Sequence, residues 1–223
     1  VRVMTLILNS PLTLLNPMKF SISLLSTLFL LAAPGIALAN MHGGAMHHND
    51  PSGTWLDEET NWNKVGAVMP QAPTYADGNN LANCDQSFRQ ATLPEDAMVE
   101  AAGWTLSGPA QVFNGTTVIT AMANADGMCR PLDYQVFVFS DGEFAGTLSP
   151  RVMDSRTDGS LYSVDLYGAD NLRASFNRYT PEDPLCCASG ESWLFYTIDT
   201  EGDGPVVMPQ LPADTMTNDD VSE

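Results

Sequence analysis

The stretch YQVFVFSDGEFAGTL, residues 134–148, decides the fold. Tyr134 to Ser140 is an aromatic and β-branched run, Asp141-Gly142 is a dipeptide suited to the positive φ values of a two-residue turn, and Glu143 to Leu148 is a returning strand. Val136, Phe137, Val138 and Phe139 put apolar side chains on both faces of the first strand, which predicts a central strand covered on each side. The same signals recur on either flank. Trp104 to Phe113, Asn114-Gly115 and Thr116 to Ala121 form a second hairpin. Leu161 to Tyr167 shares one face through Tyr162, Val164 and Leu166; after Gly168-Ala169-Asp170, Leu172, Ala174 and Phe176 do the same. Trp193 to Ile198 is the last strand.

A single helix precedes the strands. Thr92-Leu93-Pro94-Glu95 has the T-x-x-E form of a capping box with proline in the permitted first turn, and Gly103 supplies the stop. The helix therefore covers about 93–102, with Leu93, Ala97, Met98 and Ala101 on its apolar side and Glu95, Asp96 and Glu100 towards water. It can cover one face of the Val136–Phe139 strand. The expected fold is α+β over residues 81–199: one helix packed on an antiparallel sheet of six or seven strands, held by two disulfides, with disordered N- and C-terminal arms.

The flanks read differently. Met18-Lys19 is a short positive start, Ile22 to Ala33 an apolar run, and Ala37-Leu38-Ala39 a small-x-small cleavage site, so residues 1–39 are an upstream segment and signal peptide with the true start at Met18. The apolar run falls short of the roughly 20 residues that span a bilayer, and Pro34-Gly35 breaks it. No membrane span is expected, and export to the periplasm or beyond follows. Residues 40–80 form an extended arm with Met, His, Pro and Gly and no helical or strand period, although Trp55, Trp62, Val65, Val68 and Met69 lay part of it against the domain. Residues 200–223 are an acidic disordered tail in which Val206, Val207, Met208 and Leu211 can dock.

Charge narrows the partners. With 27 acidic against 9 basic residues the formal net charge is −18, and the leader removes two of the basic ones, Arg2 and Lys19. Nucleic acid is excluded as a partner, because binding a phosphate backbone needs Lys and Arg to displace counterions. All four cysteines, Cys84, Cys129, Cys186 and Cys187, lie in the exported part and predict two disulfides. A bond between adjacent cysteines is strained, so Cys186 and Cys187 are expected to reach elsewhere, one to Cys84 and one to Cys129. A thiolate metal site is not expected, since no C-x2-C pair occurs.

Residues 84–199 resemble the LppP/LprE lipoprotein family of bacterial cell envelopes, chiefly through YQVFVFSDGEFAGTLSP, residues 134–150, followed by DPLCCASG, residues 183–190. The resemblance implies an envelope protein to which no settled activity is attached. The chain departs from the family at one point: family lipoproteins carry an acylated cysteine at the cleavage site, and residues 34–40 contain none. A lipid anchor is accordingly not expected.

The candidate chemistry is sparse. His42, His47 and His48 all precede the domain, and from Leu81 onward there is neither histidine nor lysine. Ser-His-Asp, Cys-His and lysine-based centres are thereby excluded from the domain unless the arm folds back into it. A carboxylate pair could run glycoside hydrolysis, and Asp133, Asp141, Asp165 and Glu191 are candidates without a selected pair. If cleavage follows Ala39, the free amine of Asn40, two backbone nitrogens and the His42 imidazole make a square-planar nest for Cu or Ni, with Met41, Met46, His47 and His48 as further soft ligands. Asp199, Glu201 and Asp203 open like a calcium loop, but its twelfth position is Gln210, so the bidentate glutamate is missing. Arg151, Arg156, Arg173 and Arg178 are more simply read as partners of the surplus acids than as an anion site. Together these signs point to a non-catalytic envelope module that contacts a protein or glycan. The alternatives are a periplasmic Cu/Ni-binding protein and a carboxylate-dependent hydrolase.

Overall fold

A computed structural model describes residues 54–58 and 60–217. The leader, the His/Met cluster at 40–48 and residues 218–223 lie outside the described residues. One α-helix, α1 (Pro94–Ala101), is followed by β1 (Thr105–Phe113), β2 (Thr116–Ala125), β3 (Pro131–Ser140), β4 (Glu143–Thr147), β5 (Leu161–Leu166), β6 (Asn171–Arg178), β7 (Gly190–Asp199), β8 (Val206–Pro209) and β9 (Asp214–Thr217). All pairings are antiparallel. Among the described residues no helix is long and apolar enough to cross a membrane.

The strands divide into two sheets, not the single sheet of six or seven that was expected: β1-β2-β3-β4 forms one, and β5-β6-β7-β8, with β9 also on β7, forms the other. Local periodicity identifies hairpins but not which hairpins share hydrogen bonds. Here the β4–β5 connection stays tied to β3 through the N–H groups of Leu148, Met153 and Ser155, which donate to the carbonyls of Val136, Tyr134 and Pro131, before β5 begins in the other sheet.

β3 is central, as its sequence requires. Val136 and Val138 face the other sheet in a core with Val118, Met122, Leu172, Phe176, Leu194 and Tyr196. Phe137 and Phe139 face the opposite side, in a second core with Val99, Ala102, Trp104 and Ile119. The layers are thus helix, sheet, sheet. Both expected two-residue turns form, with Asn114 and Gly115 at φ 45° and 90° and Asp141 and Gly142 at 49° and 81°.

The helix buries a different side from the one expected. Asp96 and Val99 are buried, whereas Ala97, Met98 and Ala101 are exposed. Leu93, not Thr92, is the N-cap, and Asp96 replaces Glu95 as the residue that turns back, accepting from the N–H groups of Thr92 and Leu93 at 2.9 and 3.0 Å. Arg89 grips the same carboxylate through two nitrogens. Three ties satisfy an acid that polarity alone assigns to water. In β5 the register slips between Leu161 and Ser163, so Tyr162 faces solvent at 70% exposure, and Leu161 packs on the core with Val164 and Leu166 in its place.

Both arms contribute more than expected. Trp55 and Leu56 lie inside the inter-sheet core, and Trp55 meets Trp62 and Phe176 edge-on at centroid distances of 5.2 and 5.0 Å. Met69 packs on the helix-side core, while Val65 and Val68 are exposed. At the other end, β8 and β9 both pair with the edge of β7, and Val207 is fully buried, so the described part of the C-terminal segment is ordered. Low hydrophobicity concealed this because the strands are only four residues each and satisfy an open edge.

The cysteine pairing is also corrected. Cys84 bonds Cys129 across a Cα–Cα distance of 5.3 Å, and the adjacent Cys186 and Cys187 bond each other with Cα atoms 3.8 Å apart. The turn carrying Cys84 lies against β2, next to the β2–β3 connection that carries Cys129, whereas the other two cysteines share an exposed loop after β6.

Candidate functional site

The site begins with a break in β1. Ser107 pairs with Thr120 and Gln111 with Val118, so Gly108, Pro109 and Ala110 stand opposite Ile119 alone. Gly108 adopts φ 63°, and Pro109 has no N–H to give to a neighbouring strand; together they arch the chain outward.

The outer edge of β1 is covered on both sides of this arch but not at it. Before the arch, Phe88 bridges Ser107, and the Arg89 N–H donates to the Leu106 carbonyl at 3.2 Å. After it, Gln111 reaches β5 of the other sheet: its Nε2 donates to the Val164 carbonyl at 2.7 Å, and its Oε1 accepts from the Leu166 N–H at 2.8 Å. Between these attachments lies an open groove of about 420 Å³. Ser87, Ser107, Thr120 and Gln111 supply hydroxyl and amide groups, while Pro109, Met122, Pro131 and Val164 supply apolar surface. Cys129 completes the wall, and the Cys84–Cys129 bond fixes it to the turn that leads into Ser87. Among the described residues no charged one lines the groove. Arg130, next to Cys129, is held by Asp126 through its Nε at 2.6 Å. The arrangement can accept a neutral molecule by hydrogen bonds and apolar contact.

Sequence inspection passes over this groove because 104–113 reads as one strand. The Gly108-Pro109 pair inside it is the available signal, since proline is confined to edges or bulges.

The other predicted residues fall elsewhere. Asn40, Met41, His42, Met46, His47 and His48 lie outside the described residues. Asp199, Glu201 and Asp203 are exposed in the β7–β8 turn, where the Asp199 carboxylate accepts the Glu201 N–H at 2.9 Å. Among the described residues, no group of three or more His, Cys, Asp and Glu is placed to hold a metal.

The four candidate carboxylates are distributed over β3, the β3–β4 turn, β5 and β7. Asp165 pairs with Arg173, whose guanidinium lies 4.8 Å from the Trp193 ring centre. Arg178 likewise serves internal acids, binding Asp57 through two nitrogens and Asp158 through Nε. Asp133 has two partners that the sequence does not announce: its carboxylate accepts the Tyr75 O–H, and its N–H donates to Asp154 Oδ1 at 2.7 Å. Burial, and then the bond to Asp133, push the Tyr75 phenol well above its ordinary range, so it stays a neutral donor. This cluster ties the segment before α1 to the first sheet.

Comparison with curated proteins and with solved structures returns no match. Residues 112–201, from the end of β1 to the turn after β7, match the family model described as LppP/LprE lipoprotein, the family that the hairpin and the cysteine loop resemble.

Proposed function

We propose that this chain is an exported, disulfide-stabilised, non-catalytic binding module of the cell envelope, and that the groove at the β1 arch is its contact site. The observation that carries the reading is the neutrality of that groove in a chain with 27 acidic and 9 basic residues. A cleft lined by hydroxyls, one carboxamide and apolar surface suits an uncharged partner, and a neutral glycan offers both hydroxyls and apolar C–H faces. The Gly108-Pro109 arch also makes this edge a poor template for adding a peptide strand.

The test is retention on isolated envelope glycan, comparing the natural chain with Thr120→Arg, which fills the groove. A loss of tenfold or more with unchanged thermal unfolding is expected. Equal retention by the variant overturns the assignment to this groove.

A second reading rests on the Asn40–His42 sequence: Cu(II) or Ni(II) binding by the amino-terminal arm. Calorimetry on the processed protein and its His42→Ala variant tests it, and equal affinities sink it.

A further inference from the structure

Cys186 and Cys187 close a disulfide that joins no two elements of the fold. A cross-link stabilises a folded chain by closing a loop, and between adjacent residues there is no loop to close. Packing does not explain the pair either. Both residues are exposed and outside the two cores, while Cys84 is 1% exposed and packs in the inter-sheet core with Cys129 against it.

The surrounding loop is braced without the sulfurs. The Asp183 carboxylate accepts from the N–H groups of Thr180 and Ser189 at 2.8 and 2.9 Å, and the Tyr179 N–H donates to Asp158 Oδ1 at 2.9 Å. Opening the disulfide therefore leaves the base of the loop attached to the domain. The peptide bond between them sets the Cα atoms at 3.8 Å, below the usual span of a disulfide, about 4.4–6.8 Å, so the bridge must close within a small, constrained ring. Exposed and constrained disulfides are the readily reduced ones.

We infer that Cys186–Cys187 is a thiol–disulfide exchange site that accepts two electrons from an external dithiol. Residues 180–191 contain Glu182, Asp183 and Glu191 and no basic residue. Nothing in that sequence stabilises a thiolate, so once reduced the pair is a poor attacker of other disulfides. The same acids disfavour an anionic thiol such as glutathione.

In the first step one thiolate of the dithiol attacks either Sγ, forming a mixed disulfide and breaking the Cys186–Cys187 bond. The released cysteine sulfur takes up a proton. The second thiolate of the dithiol then attacks its own sulfur in the mixed disulfide, which expels the remaining cysteine sulfur to be protonated in turn. The dithiol leaves as a cyclic disulfide, oxidised by two electrons, and both cysteines become thiols.

The experiment is a graded dithiothreitol titration of the intact chain, trapping with N-ethylmaleimide and mapping tryptic peptides. Arg178 is the last basic residue, so both cysteines fall in the peptide 179–223. Two labels on that peptide are expected at a dithiothreitol concentration at least tenfold below that needed to label Cys84 and Cys129. Labelling of all four at one concentration, or of Cys84 and Cys129 first, overturns the proposal. Glutathione at equal thiol concentration is expected to react at least tenfold more slowly, and equal rates overturn the selection by charge.

Discussion

Gln111 donates its side-chain amide to the Val164 carbonyl at 2.7 Å, so that a carboxamide from one sheet stands in for a backbone rung to the other. The same side chain accepts from Leu166, and these bonds form one wall of the groove. Replacing Gln111 with Ala removes both and leaves two part-buried backbone groups without this partner. The expected loss is about 1–3 kcal/mol, read as a lower urea midpoint at unchanged slope. Glycan retention is expected to fall with it.

Asp96 supplies a pH dependence. The Arg89 guanidinium bonded to it, helped by the Thr92 and Leu93 N–H groups against the opposing effect of burial, holds its carboxyl at about 2. A folded value below the unfolded one, near 3.9, gives stability that is present above about pH 4 and lost as pH falls towards 2. Its size is on the order of 2 kcal/mol. Asp96→Asn is expected to be less stable than the natural chain at pH 7, with the difference shrinking across that window. Parallel urea melts at pH 7 and 3 check this, and a constant difference refutes it.

The two disulfides are expected to differ in their effect on stability. Cys84–Cys129 spans 45 residues, and replacing both cysteines with Ala should cost about 4 kcal/mol in the chain-entropy model. Cys186→Ser with Cys187→Ser should change the melting midpoint by less than about a quarter of that shift, because adjacent residues enclose no loop. Thermal unfolding of the two double variants makes the comparison.

Deleting residues 206–223 removes β8, β9 and the buried Val207, and it exposes the edge of β7. A disordered tail could be cut without effect. Here the truncated chain is expected to lose more than about 2 kcal/mol and to aggregate on concentration, as unpaired edge strands do. Size-exclusion chromatography and denaturant titration measure both outcomes.

Much of the β architecture was legible because its signals are local. Asn114-Gly115 and Asp141-Gly142 specify turns by backbone chemistry, and Val136 to Phe139 reveals cover on two sides through composition alone. The misses depend on distant partners. Asp96 is buried because Arg89 reaches it, Tyr162 turns outward because a register slip intervenes, and the partition into two sheets depends on a connection without a period. The groove needed Gly108-Pro109 to be read as an interruption and Gln111 as a cross-sheet tie, and only the latter is invisible in one dimension.

Val136 and Phe137 are chain neighbours that report to different interiors, and each interior has a buried indole: Trp55, edge-on to the half-buried Trp62, between the sheets and Trp104 beneath the helix. The molecule thus carries two internal lamps separated by one pleat. Loosening of the helix layer should quench Trp104 alone, while parting of the sheets dims Trp55, so the order in which the layers come apart can be seen optically with single-tryptophan variants.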